Sequence, residues 1–204
     1  MELVIATSNP GKFRELAAGL EALRFTLRPL WDFPGLTLPE ETGATFEDNA
    51  LLKAAYTARH TGLPALADDS GLVVPALGGE PGVYSARYGG KRTDKERNVF
   101  LLERMRGLPW EKRQARFVAV LVLAFPDGHA EMYRGEVEGY ILEAPRGEGG
   151  FGYDPLFYLP EAGKTFAEMS PEEKARHSHR AKALRALLEA WRNGPPPRET
   201  SRLE

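Results

Sequence analysis

The sequence predicts an α/β protein built on a mixed sheet. Two patterns carry that prediction. Over the first hundred residues, short apolar runs alternate with segments whose apolar residues recur at helical spacing. In the middle, a β-branched run meets a two-residue turn signal that sends the chain back on itself. With 204 residues the chain can bury about 70% of its unfolded surface, so it needs no disulfide or metal staple to fold.

Leu3, Val4, Ile5 and Ala6 read as a first buried strand, and Phe13, Leu16, Ala17, Leu20 and Leu23 mark a helix behind it. Phe25 to Leu30 is a second strand, and Phe33 to Gly43 a proline- and glycine-rich loop ending in Glu40-Glu41-Thr42-Gly43. Thr45 and Asp48 resemble a capping box, and Phe46, Ala50, Leu51, Ala54 and Ala58 continue a helix until Gly62-Leu63-Pro64 stops it. Ala65 to Ala67 is a short strand, Asp68-Asp69-Ser70-Gly71 a turn, and Leu72 to Val74 extended again. Thr93 and Glu96 cap a helix through Met105. Ala115 to Phe125 is a long strand, Asp127-Gly128 the hairpin turn, and His129 to Val137 the returning partner, with Tyr140 to Leu142 as a further strand. After the glycines of 147–152, Leu156 to Leu159 forms a strand and Ser170-Pro171-Glu172-Glu173 opens a helix with proline at its first position. Ala183, Leu184, Leu187, Leu188 and Trp191 carry the last amphipathic helix to Asn193-Gly194. A single domain is therefore expected over 1–194, followed by a disordered tail, 195–204.

Composition excludes several classes of function. A net charge of −2 with both signs interspersed provides no broad basic field, so no nucleic-acid partner is expected. The absence of cysteine removes disulfides, thiolate metal sites and a cysteine nucleophile, and leaves oxygen or imidazole as the only metal ligands. There is no basic-then-apolar leader and no apolar run near the ~20 residues of a membrane span, so a cytoplasmic protein without membrane association is expected.

Three segments carry candidate chemistry. Thr7-Ser8-Asn9-Pro10-Gly11-Lys12 lies at a strand-to-helix junction, where unpaired N–H groups and the helix dipole favour an anion, and where a lysine is unfavourable unless something negative faces it. The same residues also fit an ordinary Asn-Pro-Gly turn. They are not a P-loop, because Ala6 stands where its first glycine belongs and Phe13 follows Lys12. Asp68 and Asp69 sit side by side where a strand gives way to a turn, and adjacent strand residues point to opposite faces, so one could hold a metal and the other could hold or deprotonate a water. Magnesium suits such an all-oxygen site, with Glu40 or Glu41 completing the shell, although Asp-Asp-Ser-Gly is also a common surface turn. In Gly149-Gly150-Phe151-Gly152-Tyr153-Asp154, glycines on both sides of an aromatic allow close approach of a flat ligand such as a nucleobase; a glycine-rich hairpin with core aromatics is the alternative. Lys174 with Ser178-His179-Arg180 adds donors suited to a carbonyl oxygen in preference to an amino group.

Taken in order, Ala6-Thr7-Ser8-Asn9-Pro10-Gly11-Lys12, Glu41-Thr42-Gly43, Asn49-Ala50 with Lys53-Ala54, Ala67-Asp68-Asp69-Ser70-Gly71-Leu72, Pro81 to Arg87, Gly150 to Pro155 and Ser178-His179-Arg180 resemble the inosine/xanthosine triphosphate pyrophosphatase family across nearly the whole chain. The resemblance implies an elongated central sheet flanked by helices, in two lobes with the active site in the cleft between them. It implies a magnesium-dependent homodimer that hydrolyses deaminated purine nucleoside triphosphates (ITP, dITP, XTP) to the monophosphate and pyrophosphate, cleansing the nucleotide pool. By the same resemblance, Thr7, Ser8, Asn9, Pro10, Gly11, Lys12 and Lys53 would hold the triphosphate. Glu40, Asp68 and Asp69 would bind the metal, with Asp69 also activating water, and Ser70 would touch the substrate. Phe151, Gly152, Tyr153, Asp154, Lys174, His179 and Arg180 would form the base pocket. A nucleotide pyrophosphatase of different base preference and a non-catalytic nucleotide sensor are the alternatives.

Overall fold

The structure, a computed structural model, describes residues 1–197. Its centre is a seven-stranded mixed sheet of order β2-β1-β3-β4-β5-β6-β7. Strand β1 (Glu2–Ile5) runs parallel to β2 (Thr26–Pro29) and to β3 (Ala65–Val73). From β3 onward every pairing is antiparallel, through β4 (Gln114–Ala124), β5 (Ala130–Ile141), β6 (Phe157–Leu159) and β7 (Lys164–Thr165). The parallel part is the part joined through helices, as crossover geometry requires, and the antiparallel part contains the expected hairpin.

Strand alternation sorts the core onto two faces. Leu3, Ile5, Leu66, Leu121 and Leu123 pack beneath α1 (Pro10–Gly19) and α5 (His179–Ala190), meeting Leu16, Leu20, Leu184 and Leu187. The intervening Val4, Ala65, Ala67, Val120 and Val122 face α2 (Phe46–Thr61) and meet its Ala50, Ala54 and Ala58. Both faces are covered, which is why 3–5 of β1 and 117–124 of β4 read as unbroken apolar runs. A third cluster gathers Leu72, Leu101, Met105, Phe117, Ile141, Tyr153, Phe157 and Phe166 at the other end of the sheet, under α3 (Asp94–Arg104).

Two expectations change. Asp68 to Gly71 is not a turn: β3 continues through it, paired residue for residue with β4 from Ala65↔Ala124 to Val73↔Arg116. Turn-forming composition yields to a nine-residue ladder against an apolar partner strand. Tyr140 to Leu142 is not a separate strand, because β5 runs unbroken to Ile141. The helix opened by Ser170 is short, α4 (Pro171–His177), and Ser178 ends it and caps α5 by accepting from the Ala181 N–H. Most of the tail expected to be disordered, 198–204, lies outside the described residues. Among the described residues no helix is long and apolar enough to cross a membrane.

Candidate active site

The two carboxylates sit mid-strand in β3 and are separated by the pleat, as their adjacency requires. Asp68 points toward α1 and α5. Its Oδ2 accepts from Arg180 Nε at 2.9 Å, and its Oδ1 accepts from Lys12 Nζ at 2.9 Å and from the Ser70 hydroxyl at 2.9 Å. Burial alone would raise the Asp68 carboxyl, but Arg180 and Lys12 outweigh it and hold the group well below the usual carboxylate range. Asp68 is a fixed anion with 0% exposure, saturated by cations of the chain itself.

Asp69 points the other way, toward α2. Lys53 Nζ stands 3.8 Å from its Oδ1, while its Oδ2 is buried with no partner among the described residues. Burial pushes its carboxyl up to about 7, against the opposing pull of Lys53 and with a further push from Glu41. Lys53 lies on α2 and is itself buried; its ammonium donates to the Asp68 carbonyl at 2.7 Å and to Glu41 Oε1 at 2.9 Å.

Glu41 reaches the site because its loop is tied to α2. The buried Asn49 accepts from the Gly43 N–H at 2.7 Å, and a Cβ on Gly43 would lie 2.6 Å from Asp48 Cβ, so only glycine permits this approach. Arg87 closes the loop from outside, donating to the Glu41 carbonyl at 3.2 Å. Glu40, by contrast, is exposed. The trio Glu40, Asp68 and Asp69 is therefore not gathered, and among the described residues no group of three or more potential protein ligands stands at metal-binding spacing. The fold brings together Asp69 and Glu41. A buried carboxylate oxygen without a partner among the described residues, faced by a second carboxylate, is a hard-oxygen donor set of the kind that suits magnesium.

The junction before α1 differs from a bare anion nest. Asn9 caps the helix, its Oδ1 accepting from the Gly11 and Lys12 N–H groups at 2.9 and 3.1 Å; Pro10 has no N–H, and Phe13 N–H already bonds to the Asn9 carbonyl. The first-turn donors are consumed, and positive charge at this end comes from the Lys12 and Lys53 side chains. Thr7 is buried and its hydroxyl accepts from Asn9 N–H at 3.1 Å, which leaves exposed Ser8 at the tip of the turn.

On the far side of α1, a cleft of about 480 Å³ is lined by Gly11, Glu15, Phe151, Phe166, Lys174 and Ser178, among others. The Phe151 ring rests on the helix start: a Cβ on Gly11 would stand 2.5 Å from its Cδ1. Lys174 Nζ lies 4.6 Å from the ring centroid and binds Asp154 Oδ2 at 2.7 Å and Glu15 Oε1 at 3.0 Å. Burial raises the Asp154 carboxyl against the pull of Lys174. Arg180 does not open into this cleft. Its fork is spent on Asp68, on the Ser70 hydroxyl at 2.8 Å and on Glu15 at 2.8 Å. His179 is buried and stacked on Phe117, and burial, followed by the neighbouring Arg180, lowers its pKa well below the ordinary value, so it is neutral. Tyr153 turns into the third core cluster and donates to the Ser85 carbonyl at 2.6 Å, which removes it from the cleft. Nothing in the sequence singles out Glu15, since a glutamate on a helix carries no signal; only the fold sets it between Lys174 and Arg180.

The model of the Ham1 family matches residues 3–190. A protein of Thermus thermophilus named dITP/XTP pyrophosphatase is 75% identical over 204 residues, covering all of this chain and 98% of the relative. One of the same name from Deinococcus radiodurans is 58% identical, covering 92% of each chain. Among solved structures, a HAM1 protein from Coxiella burnetii has a TM-score of 0.87 at 42% identity, covering 95% of this chain and all of that one. The nucleoside-triphosphatase / dITP/XTP pyrophosphatase of Mycobacterium abscessus has a TM-score of 0.75 at 44% identity, covering 92% and 99%.

Proposed function

The chain belongs to the Ham1 family, and we propose that it is a cytoplasmic, magnesium-dependent homodimeric pyrophosphatase that hydrolyses dITP, ITP and XTP to the nucleoside monophosphate and pyrophosphate. The mid-strand carboxylate of Asp69, desolvated, with an oxygen unpartnered among the described residues and facing Glu41 and Lys53, is the observation that carries this reading. A desolvated carboxylate with Lys53 beside it and an oxygen left over is placed to accept a proton from a water.

Asp69 takes the proton of a water as that water attacks phosphorus, the α–β anhydride bond breaks, and pyrophosphate departs with the electron pair. Lys12 and Lys53 neutralise the charge accumulating on the phosphate oxygens, which supplies most of the catalysis in phosphoryl transfer. Magnesium, held by Asp69 and Glu41, would add Lewis-acid neutralisation of the same oxygens. Phe151 offers its ring to the purine, and Lys174 beside it supplies a donor for a 6-keto oxygen. Adenine presents an amino group at that position and would leave the donor unpaired. The expected result is that pyrophosphate release assayed over ITP, XTP, dITP and ATP shows kcat/KM for ATP lower by orders of magnitude; a site built on hydrogen bonds discriminates by up to about 10⁴-fold. Equal rates for ATP and ITP would end the reading of the cleft as a base sieve. EDTA is expected to abolish turnover and magnesium to restore it; full activity after chelation would remove the metal role of Asp69 and Glu41.

A further inference from the structure

The loop that carries Phe151 is conformationally loose by composition: Gly147, Gly150 and Gly152 all have positive φ, at 88°, 67° and 60°. It is gripped from a helix at the other end of the sheet. Asp94, in the first turn of α3, accepts from the Gly152 N–H through Oδ2 at 2.9 Å, and Asn98, one turn on, donates from Nδ2 to the Gly152 carbonyl at 3.2 Å. Arg97 steadies Asp94 from the same helix, at 2.6 Å from its Oδ1. Asn98 is only 8% exposed, and its Oδ1 is buried without a partner among the described residues. An amide half-satisfied in this way is a poor choice for stability alone, so what it holds matters more than what it contributes to the core.

We propose that Asp94 and Asn98 are positioning residues for the purine: from α3 they clamp the N–H and C=O of Gly152 and so fix the Phe151 ring as the surface against which the base lies. This rests on the function proposed above. Asp154, accepting from the Phe151 N–H at 3.1 Å, pins one side of the aromatic residue, and the α3 pair pins the other. A ring held on both sides meets the base without first being ordered, which is where support from behind the contact surface adds to affinity.

The test compares wild-type enzyme with Asp94→Ala, Asn98→Ala and Asp94→Asn for ITP turnover, for inhibition by inorganic tripolyphosphate, which has no base, and for Tm. Loss of one hydrogen bond of ordinary strength is expected to raise KM for ITP by about tenfold in each alanine variant. Under the same conditions kcat and the tripolyphosphate inhibition constant stay within about twofold of wild type. Asp94→Asn keeps an acceptor for the Gly152 N–H and should restore KM. An unchanged KM in both alanine variants overturns the proposal, as does a parallel rise of KM and the tripolyphosphate constant, which would mean general loosening. Asp94→Asn behaving like Asp94→Ala overturns it for Asp94. If Asp94→Ala does not fold, Asn98→Ala carries the same test. Wild-type enzyme inert toward ITP overturns this inference together with the proposed function, whereas an active wild type with unaffected alanine variants overturns this inference alone.

Discussion

Asp69→Asn is expected to lower turnover by about 10²- to 10⁴-fold while nucleotide binding survives, because the amide keeps the shape of the side chain but cannot accept a proton. The same substitution should stabilise the chelated protein above neutral pH. The folded-state pKa of about 7 exceeds the ordinary value of 3.8, so between these values the folded state binds more protons than the unfolded state. Stability of the metal-free protein therefore falls as pH rises from about 4 to about 7, the loss is complete above that window, and the asparagine variant lacks it. Urea melts of both proteins at about pH 5 and about pH 8, read beside ITP turnover, test the two halves together. A variant that turns over normally removes Asp69 as the base, and one that loses activity without gaining stability at the higher pH removes the desolvated carboxylate as the reason.

Arg180→Ala should be the most destabilising single change in the site. Arg180 and Asp68 are 1% and 0% exposed, and truncating the arginine leaves Asp68 with Lys12 and the Ser70 hydroxyl alone. Stranding a buried charge costs about 3–5 kcal/mol, well beyond the value of a surface pair. Arg180→Lys should recover only part, since one ammonium cannot replace a fork that binds Asp68, Glu15 and Ser70 at once. Asp68 is held below its ordinary pKa, so the contribution is present above about pH 4 and is lost as pH falls below that. Denaturant unfolding of Arg180→Ala at about pH 7 measures it; a loss below about 1 kcal/mol would mean that water or Lys12 has taken over the charge. Activity will fall as well, and the stability measurement separates loss of fold from loss of chemistry.

Much of this molecule is legible in its sequence because the signals are local. The apolar run Leu3 to Ala6, helical spacing after Phe46, the Thr45, Thr93 and Ser170 caps and the Asp127-Gly128 turn each depend on residues a few positions apart, and each element stands where those signals put it. The opposed directions of Asp68 and Asp69 follow from their adjacency once the chain there is extended. The remainder depends on contacts between distant segments. Asp-Asp-Ser-Gly has turn composition, and only the register against β4 makes it the middle of a strand. Glu40 and Glu41 are indistinguishable in sequence; Asn49, Lys53 and Arg87 choose Glu41. The donors of Arg180 suit a base carbonyl equally well on paper, but a buried carboxylate 112 positions away claims them first, because an unpaired charge in the interior costs more than an unfilled pocket.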